Sequence, residues 1–383
     1  MMNSASLQKR DALRITIPDA ENEWQNMLNR ALTFLLYQFP GEFSEAGHSM
    51  HFPKNQGFIS DLEWHTGDIF QRALIADTLL DCNKWMKGQL TPLIEHEVEY
   101  LTNARRKEGV GGWGYFPDLP ELPPDADDLA QIMQLYCRLG KTNEIVNYCE
   151  PQLEILLNEQ RHSDGGFESW IIPKKNLSKL QELQLQWAGE AWGTGADTEV
   201  VANILIALIL YDSQRYTEVI EKGIDFLWGR RKEDGSWDST WYFGSYYGIY
   251  KSLTACLHLQ PDFSRITKTE KFIIDGQKQS GGWGRSSLAD PLQTGLALLS
   301  LSLLSEYKRE PVDGAVLQKA YGFLERGQTG NGSWSSQPLI KMELGRPKGM
   351  VHQVLEYGSR TITTNFIIKA VNRIFQLPQL QNK

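Results

Sequence analysis

Gly111-Gly112-Trp113-Gly114-Tyr115-Phe116-Pro117 leads, through Pro123-Pro124, into Asp125-Ala126-Asp127-Asp128 and then an apolar helical run from Leu129 to Leu139. A glycine-aromatic turn ahead of an apolar run recurs along the chain. The others are Asp164-Gly165-Gly166-Phe167, Asp234-Gly235-Ser236-Trp237, Ser280-Gly281-Gly282-Trp283-Gly284 and Asn331-Gly332-Ser333-Trp334. Gln160, Gln277, Gln279 and Gln328 stand just before three of these turns. Self-similarity of this kind is the mark of a repeat architecture. Glycine permits the positive φ of a tight turn. The aromatic can pack between neighbouring helices, and the glutamine can bond the free backbone groups of a helix end.

Helical spacing of apolar residues predicts a pair of helices around each turn. The first members, of mixed polarity, fall at about 22–38, 88–107, 144–160, 215–231, 265–278 and 313–326. The second members, strongly apolar, fall at about 68–83, 126–139, 196–211, 246–259, 291–305 and 361–375. Six hairpins with one apolar and one amphipathic helix predict a closed ring. The expected fold is all-α: a single (α/α)6 barrel, or α-toroid, over residues 21–383, preceded by a polar arm at 1–20. An open solenoid would need polar end caps, and the terminal repeats look like the others. No strand pattern is evident. The segments 39–66, 161–194 and 328–360 are longer than ordinary connections, and long loops on one face of a rigid scaffold commonly carry function.

Bulk properties narrow the function. A net charge of −8 argues against a nucleic-acid partner. The cysteines Cys82, Cys137, Cys149 and Cys256 have no metal-ligand or disulfide-framework spacing. No metal or other cofactor is expected, and a reducing cytoplasm suits free thiols. The first nineteen residues lack the apolar core of a signal peptide, and no run reaches the roughly 18 apolar residues of a membrane span. A cytoplasmic protein is expected, with peripheral contact to a membrane surface left open.

The three carboxyls of Asp125, Asp127 and Asp128 repel one another. Burial and like charge both raise a carboxyl pKa, so a buried cluster of this kind holds at least one proton and is a Brønsted acid. The plain alternative is that they cap and open a helix, where the macrodipole favours aspartate. A DxDD occurs by chance in roughly one chain in ten of this length, with each charged type near 6% of residues. The five glycine-aromatic turns lift it above coincidence.

Glutamine-led Gly-Trp turns (QW-like) together with DxDD resemble the squalene-hopene cyclase family of class II terpene cyclases, over about residues 60–375. The chain has room for one barrel where the larger cyclases have two. It therefore resembles the monodomain cyclases that build meroterpenoids, of the merosterolic acid synthase type. The resemblance implies protonation of a terminal prenyl double bond and carbocation polycyclisation of a prenylated aromatic or linear polyprenyl substrate, an isomerase reaction. It implies Asp127 as the donor, with Asp125 and Asp128 orienting it. The partner that is a histidine in the larger cyclases falls, when one inner helix is laid over another, on Asn203. An amide can donate a hydrogen bond but cannot become a cation. The resemblance also places a cation-facing aromatic at Tyr115.

Aromatic faces stabilise a cation by roughly 0.5–2 kcal/mol each. The candidates near the inner-helix starts are Trp64, Tyr115, Trp170, Trp187, Trp192, Trp241, Tyr246, Tyr247 and Tyr250. The tryptophans inside the glycine turns, Trp113, Trp237, Trp283 and Trp334, read as structural. Arg346, Lys348, His352 and Arg360 are candidates to hold a carboxylate head group, and Arg72, inside an apolar helix, is a further one. Asp127-Asp128 is followed by Leu129-Ala130-Gln131, so there is no DDxxD for metal-triggered ionisation. Three other readings compete. A carbohydrate-active (α/α)6 enzyme would pair Asp127 with Glu168, Asp197 or Glu199 across a groove. A prenyltransferase β-subunit would need an Asp/Cys/His zinc site. A helical scaffold would have no use for clustered acids beside a cavity.

Overall fold

In the computed structural model, which describes residues 15–54, 58 and 60–376, the apolar runs become an inner ring of helices. These are α2 (Ile69–Asn83), α4 (Ala126–Arg138), α7 (Thr198–Asp212), α9 (Tyr246–Cys256), α11 (Pro291–Lys308) and α13 (Arg360–Phe375). Each packs beside the next in that order, and α13 packs against α2, which closes the ring and excludes a solenoid. The amphipathic helices form the outer wall: α1 (Glu23–Gln38), α3 (Thr91–Asn103), α8 (Thr217–Arg230), α10 (Phe263–Asp275) and α12 (Gly314–Gly327). Thr142–Glu144, a π-helical Ile145–Cys149 and Glu150–Asn158 run together as α5 and complete it. The all-α toroid is the observed fold. The first residues of the predicted arm, 1–14, lie outside the described residues; Ile15 and Ile17 pack on the core.

The glycine turns bind the outer helices together. The indole N–H groups of Trp237, Trp283 and Trp334 donate to Leu227 O, Ile273 O and Leu324 O, each ten residues earlier at the end of an outer helix, at 2.6–2.7 Å. Gln277 donates to Gly281 O in its own turn and to Val316 O on the next outer helix. Gln328 does the same with Gly332 O and with Met27 O of α1, so the last turn closes the outer wall on the first helix. Gly281 (φ 100°) and Gly332 (φ 90°) lie so close to the following outer helix that a Cβ would stand 2.2 Å from Lys319 O and 2.1 Å from Arg30 O. No other residue fits there.

Two long connections hold what the sequence did not announce. β1 (His48–His51) pairs antiparallel with β2 (Trp64–Gly67), and β3 (Gln337–Leu344) with β4 (Gln353–Ser359). The expectation of no strands is therefore corrected. The alternation in Gln337–Leu344 is imperfect, with Leu339 and Ile340 buried side by side at a bulge, which hid the period. The third long connection carries α6 (Lys179–Trp187) and a π-helical turn, Ala188–Trp192. No described helix is long and apolar enough to cross a membrane.

Candidate active site

The DxDD segment sits where three pieces of chain are pinned together. Asp125 is the N-cap of α4, and its Oδ1 accepts from Asp128 N at 2.7 Å. Asp125 N donates to Trp113 O and Ala126 N to Ser169 O, while Ile171 N donates to Pro124 O. Arg106 fixes the spacer before the motif. Its guanidinium donates to the carbonyls of Phe116, Leu119 and Leu122. So the capping reading of Asp125 is correct as local structure, and it aims the first turn of α4 into the barrel.

There the motif borders a partly open cavity, about 600 Å³ when the solvent at its mouth is included. Phe70, Tyr115, Phe116, Leu122, Val200, Trp170, Trp192, Trp241, Tyr242, Ile340 and Met342 supply most of its wall, with Asp125, Asp127, Asp128 and Ser169 the polar exceptions. The strand β3 acts as a cover. Phe243 N donates to Leu339 O and Lys341 N to Trp241 O, so the ribbon places Ile340 and Met342 over the opening beside Trp241 and Tyr242.

Each carboxyl has a different environment. Asp127 receives two donors: Asn203 Nδ2 on Oδ1 and Tyr242 OH on Oδ2, both in short hydrogen bonds. Gln134 Nε2 donates to Asn203 O at 3.0 Å and to its Oδ1 at 3.3 Å, which turns the amide so that its N–H faces Asp127. Tyr242 is stacked on Tyr247 at 3.7 Å. Burial raises the pKa of Asp127 above the ordinary carboxyl value, against the opposing pull of those two donors. Burial pushes Asp125 up to about 7 and Asp128 well above the usual range, where the facing carboxyls add to the rise. The two carboxyls are joined through the backbone N–H of Asp128 on Asp125 Oδ1, and Asp128 Oδ2 is buried without a hydrogen-bond partner. Burial thus favours protonated carboxyls here, two donors stand ready for the anion of Asp127, and the wall is largely aromatic.

The other candidates divide. Trp170 and Trp192 lie 5.8 Å apart, and Trp170 and Trp241 meet edge-on at 5.5 Å. Asp197 Oδ2 accepts from the indole N–H of Trp241, and Glu199 Oε1 from its backbone N–H. Tyr115 also lines the cavity, its hydroxyl bonded to Gln71 and His48. Three are placed elsewhere. Trp64 is exposed and stacked on His51. Tyr246 packs towards Phe272. Arg360 points outward, and the start of α13 is capped by Glu45, which accepts from Arg360 N, Thr361 N and Ser359 Oγ. Arg72 is no ligand holder: its guanidinium makes a bidentate pair with buried Glu97 at 2.6 and 2.9 Å. Glu42, His96 and Glu97 bring potential metal-ligating atoms within 4.8 Å of one another, but Arg72 already occupies that charge. Glu168, Asp197 and Glu199, the carboxylates of the carbohydrate reading, accept from backbone, serine, histidine and indole donors around the wall. Tyr242, Arg106 and Lys251 were missed by sequence reasoning. Tyr242 adjoins Trp241, a named candidate, and Lys251 is a charge in an apolar helix.

Residues 72–335 match the family described as squalene-hopene cyclase C-terminal domain. The chain is 23% identical over 246 residues to drimenyl diphosphate synthase of Streptantibioticus cattleyicolor, covering 61% of this chain and 40% of that protein. It is 25% identical over 244 residues to squalene–hopene cyclase of Zymomonas mobilis, covering 58% and 36%. The chain thus spans about two fifths of the length of these curated relatives. Among solved structures, the type II terpene cyclase MstE from Scytonema, as a variant in complex with geranylgeranyl dihydroxybenzoate, superposes with a TM-score of 0.65 at 18% identity, over 92% of this chain and 97% of that one. This chain belongs to the squalene-hopene cyclase C-terminal domain family.

Proposed function

We propose that this squalene-hopene cyclase family barrel is a class II terpene cyclase, in which Asp127 protonates the terminal double bond of a prenyl chain held in the aromatic cavity. The observation that carries this reading is the pair of donors on Asp127. Burial favours the protonated carboxyl, while Asn203 and Tyr242 stabilise the carboxylate as the proton leaves. An alkene is a weak base, so the acid must be both protonated at rest and well supported once ionised. Filling the cavity with a prenyl chain displaces water and raises the Asp127 pKa further.

The reaction is a redox-neutral isomerisation. The Asp127 proton bonds to one carbon of the terminal alkene, leaving a tertiary cation on the other. Successive internal double bonds attack, each closing a ring and passing the charge along the chain. Loss of a proton at the end regenerates an alkene. Trp170, Trp192, Trp241 and Tyr115 present π-faces without a nucleophile competent to trap the cation, and the apolar wall excludes water that would quench it.

The substrate is proposed to be a prenylated aromatic acid, the class named in the MstE complex. An open polar recess is lined by Thr194, Asp197, Arg230 and Arg346. Arg346 donates to Trp192 O at 2.8 Å and lies 5.0 Å from the Trp241 ring. An anionic head group there would leave the prenyl chain running past the tryptophans towards Asp127. A linear prenyl diphosphate would put its anion in the same recess. The test is to incubate the purified protein, without added metal, with geranylgeranyl hydroxybenzoate and with farnesyl diphosphate. A cyclised isomer of unchanged mass from either supports the proposal. Recovery of both unchanged, alongside turnover of an oligosaccharide, would refute it.

A further inference from the structure

The acid site contains a cation that the proposed reaction has not yet used. Lys251, on α9, is buried within the barrel at 5% exposure, and its Nζ donates to Gln131 Oε1 at 3.0 Å. Gln131 follows Asp127 by four residues, so it lies one helical turn deeper on the same face of α4. The ammonium is 5.7 Å from the ring centroid of Tyr247, against which Tyr242 is stacked. Lysine is seldom buried without a counter-charge.

Charge counting at the barrel floor leaves Lys251 without a dedicated carboxylate. Asp77 is paired with Lys369 at 2.6 Å and with Arg138; Asp81 is paired with Arg138 at 2.5 Å and with Lys369. Two carboxylates meet two cations and the cluster is balanced. Lys251 is in excess of it. The carboxyl acting on it most strongly is Asp127, followed by Asp77, with Lys369 opposing. Among the buried residues of the neighbouring inner helix α7, the polar ones are Asn203, which is neutral, and Glu199, which is held by the backbone of Thr240 and Trp241. The buried residues of α8 and α11 are uncharged. Burial lowers the Lys251 pKa to about 8, which still leaves it mostly protonated at neutral pH.

We propose that Lys251, bonded to Gln131 one turn below Asp127, is a positioning residue whose ammonium offsets the carboxylate left on Asp127 when its proton departs. This rests on the reading of Asp127 as the acid. Proton transfer to an alkene creates an ion pair, and each ring closure carries the cation farther from the carboxylate. Asn203 and Tyr242 supply hydrogen bonds but no net charge. A fixed cation beneath the motif offsets that charge, and Lys251 supplies one outside the residues that line the cavity.

The direct test is an infrared titration of the Asp127 carboxyl, its band assigned by difference against Asp127→Asn. In Lys251→Met and Lys251→Gln that titration moves up by about one pH unit or more. Lys251→Arg stays near wild type. With geranylgeranyl hydroxybenzoate, kcat of the two neutral variants falls at least about tenfold while KM changes little. An Asp127 titration unmoved in both overturns the proposal, whatever their activity. Should neither neutral variant fold, nitrogen NMR of the lysine ammonium in wild type and Asp127→Asn reads the same coupling from the other side. Linkage requires Lys251 to titrate lower in Asp127→Asn, and an unchanged value is equally fatal. Full turnover by Asp127→Asn would instead sink the acid assignment and leave the coupling measurement standing.

Discussion

Tyr242 donates its phenolic proton to Oδ2 of Asp127 across 115 residues of sequence, from the loop before one inner helix to the first turn of another. The ring is held flat against Tyr247, so its removal and the removal of its hydroxyl are separable perturbations. The bond stabilises the carboxylate form of Asp127, the form that the proposed proton transfer would leave.

Tyr242→Phe keeps the stack and deletes the donor. Its kcat is expected to fall by about ten- to a hundredfold, with KM close to wild type, as for loss of one donor to a developing anion. Steady-state kinetics check this. A change confined to KM would place Tyr242 in substrate binding.

Trp241 is fixed by Asp197 at its indole N–H, at 2.7 Å, and forms one face of the cavity. On the proposed mechanism Trp241→Leu removes a cation-facing surface worth roughly 0.5–2 kcal/mol. The expected result is a larger share of partly cyclised or hydrated products. Product analysis by mass spectrometry reads this, and an unchanged product ratio would assign the ring to packing alone.

The buried acids tie stability to pH. Burial raises Asp125 to about 7 and Glu199 to about 8, and Asp128 well above the ordinary value of 3.8. The native state therefore binds more protons than the unfolded chain between those values and the ordinary carboxyl range. Stability is fully present below the unfolded pKa and falls as pH rises through about 7 to 8. Thermal melts across that range should show Tm declining, with a shallower decline in Asp128→Asn.

Gly281→Ala tests the repeat turns. Its Cβ would stand 2.2 Å from Lys319 O at a φ of 100°, whereas at Gly314 nothing lies within 4 Å. Gly281→Ala should lose about 1–3 kcal/mol or more, and Gly314→Ala should melt near wild type. Equal Tm values would show that the turn moves freely.

The ring was legible because its determinants are local and repeated. Glycine and an aromatic recur at each turn, a glutamine precedes three of them, and the inner helices are largely buried. The acid motif was legible because its carboxyls are contiguous, and Asn203 because equivalent positions on neighbouring inner helices face each other. Tyr242 and Lys251 come from elements with no sequence link to Asp127, and only closure of the ring brings them near it. Lys251 carried a usable signal, since the same irregularity, a charge within an apolar helix, drew attention to Arg72. The sequence could not tell that outer-helix Glu97 neutralises Arg72 while Lys251 faces inward. The cover of Ile340 and Met342 was hidden because a bulge interrupts the alternation of β3.

The most direct measurement is turnover of geranylgeranyl hydroxybenzoate in deuterated water by wild type and Asp127→Asn, with the label located by NMR. One deuterium on the methyl carbon derived from the terminal alkene, in a cyclised product formed by wild type and not by the variant, is the predicted result. Cyclised product without that deuterium, or equal labelling by Asp127→Asn, would contradict alkene protonation by Asp127.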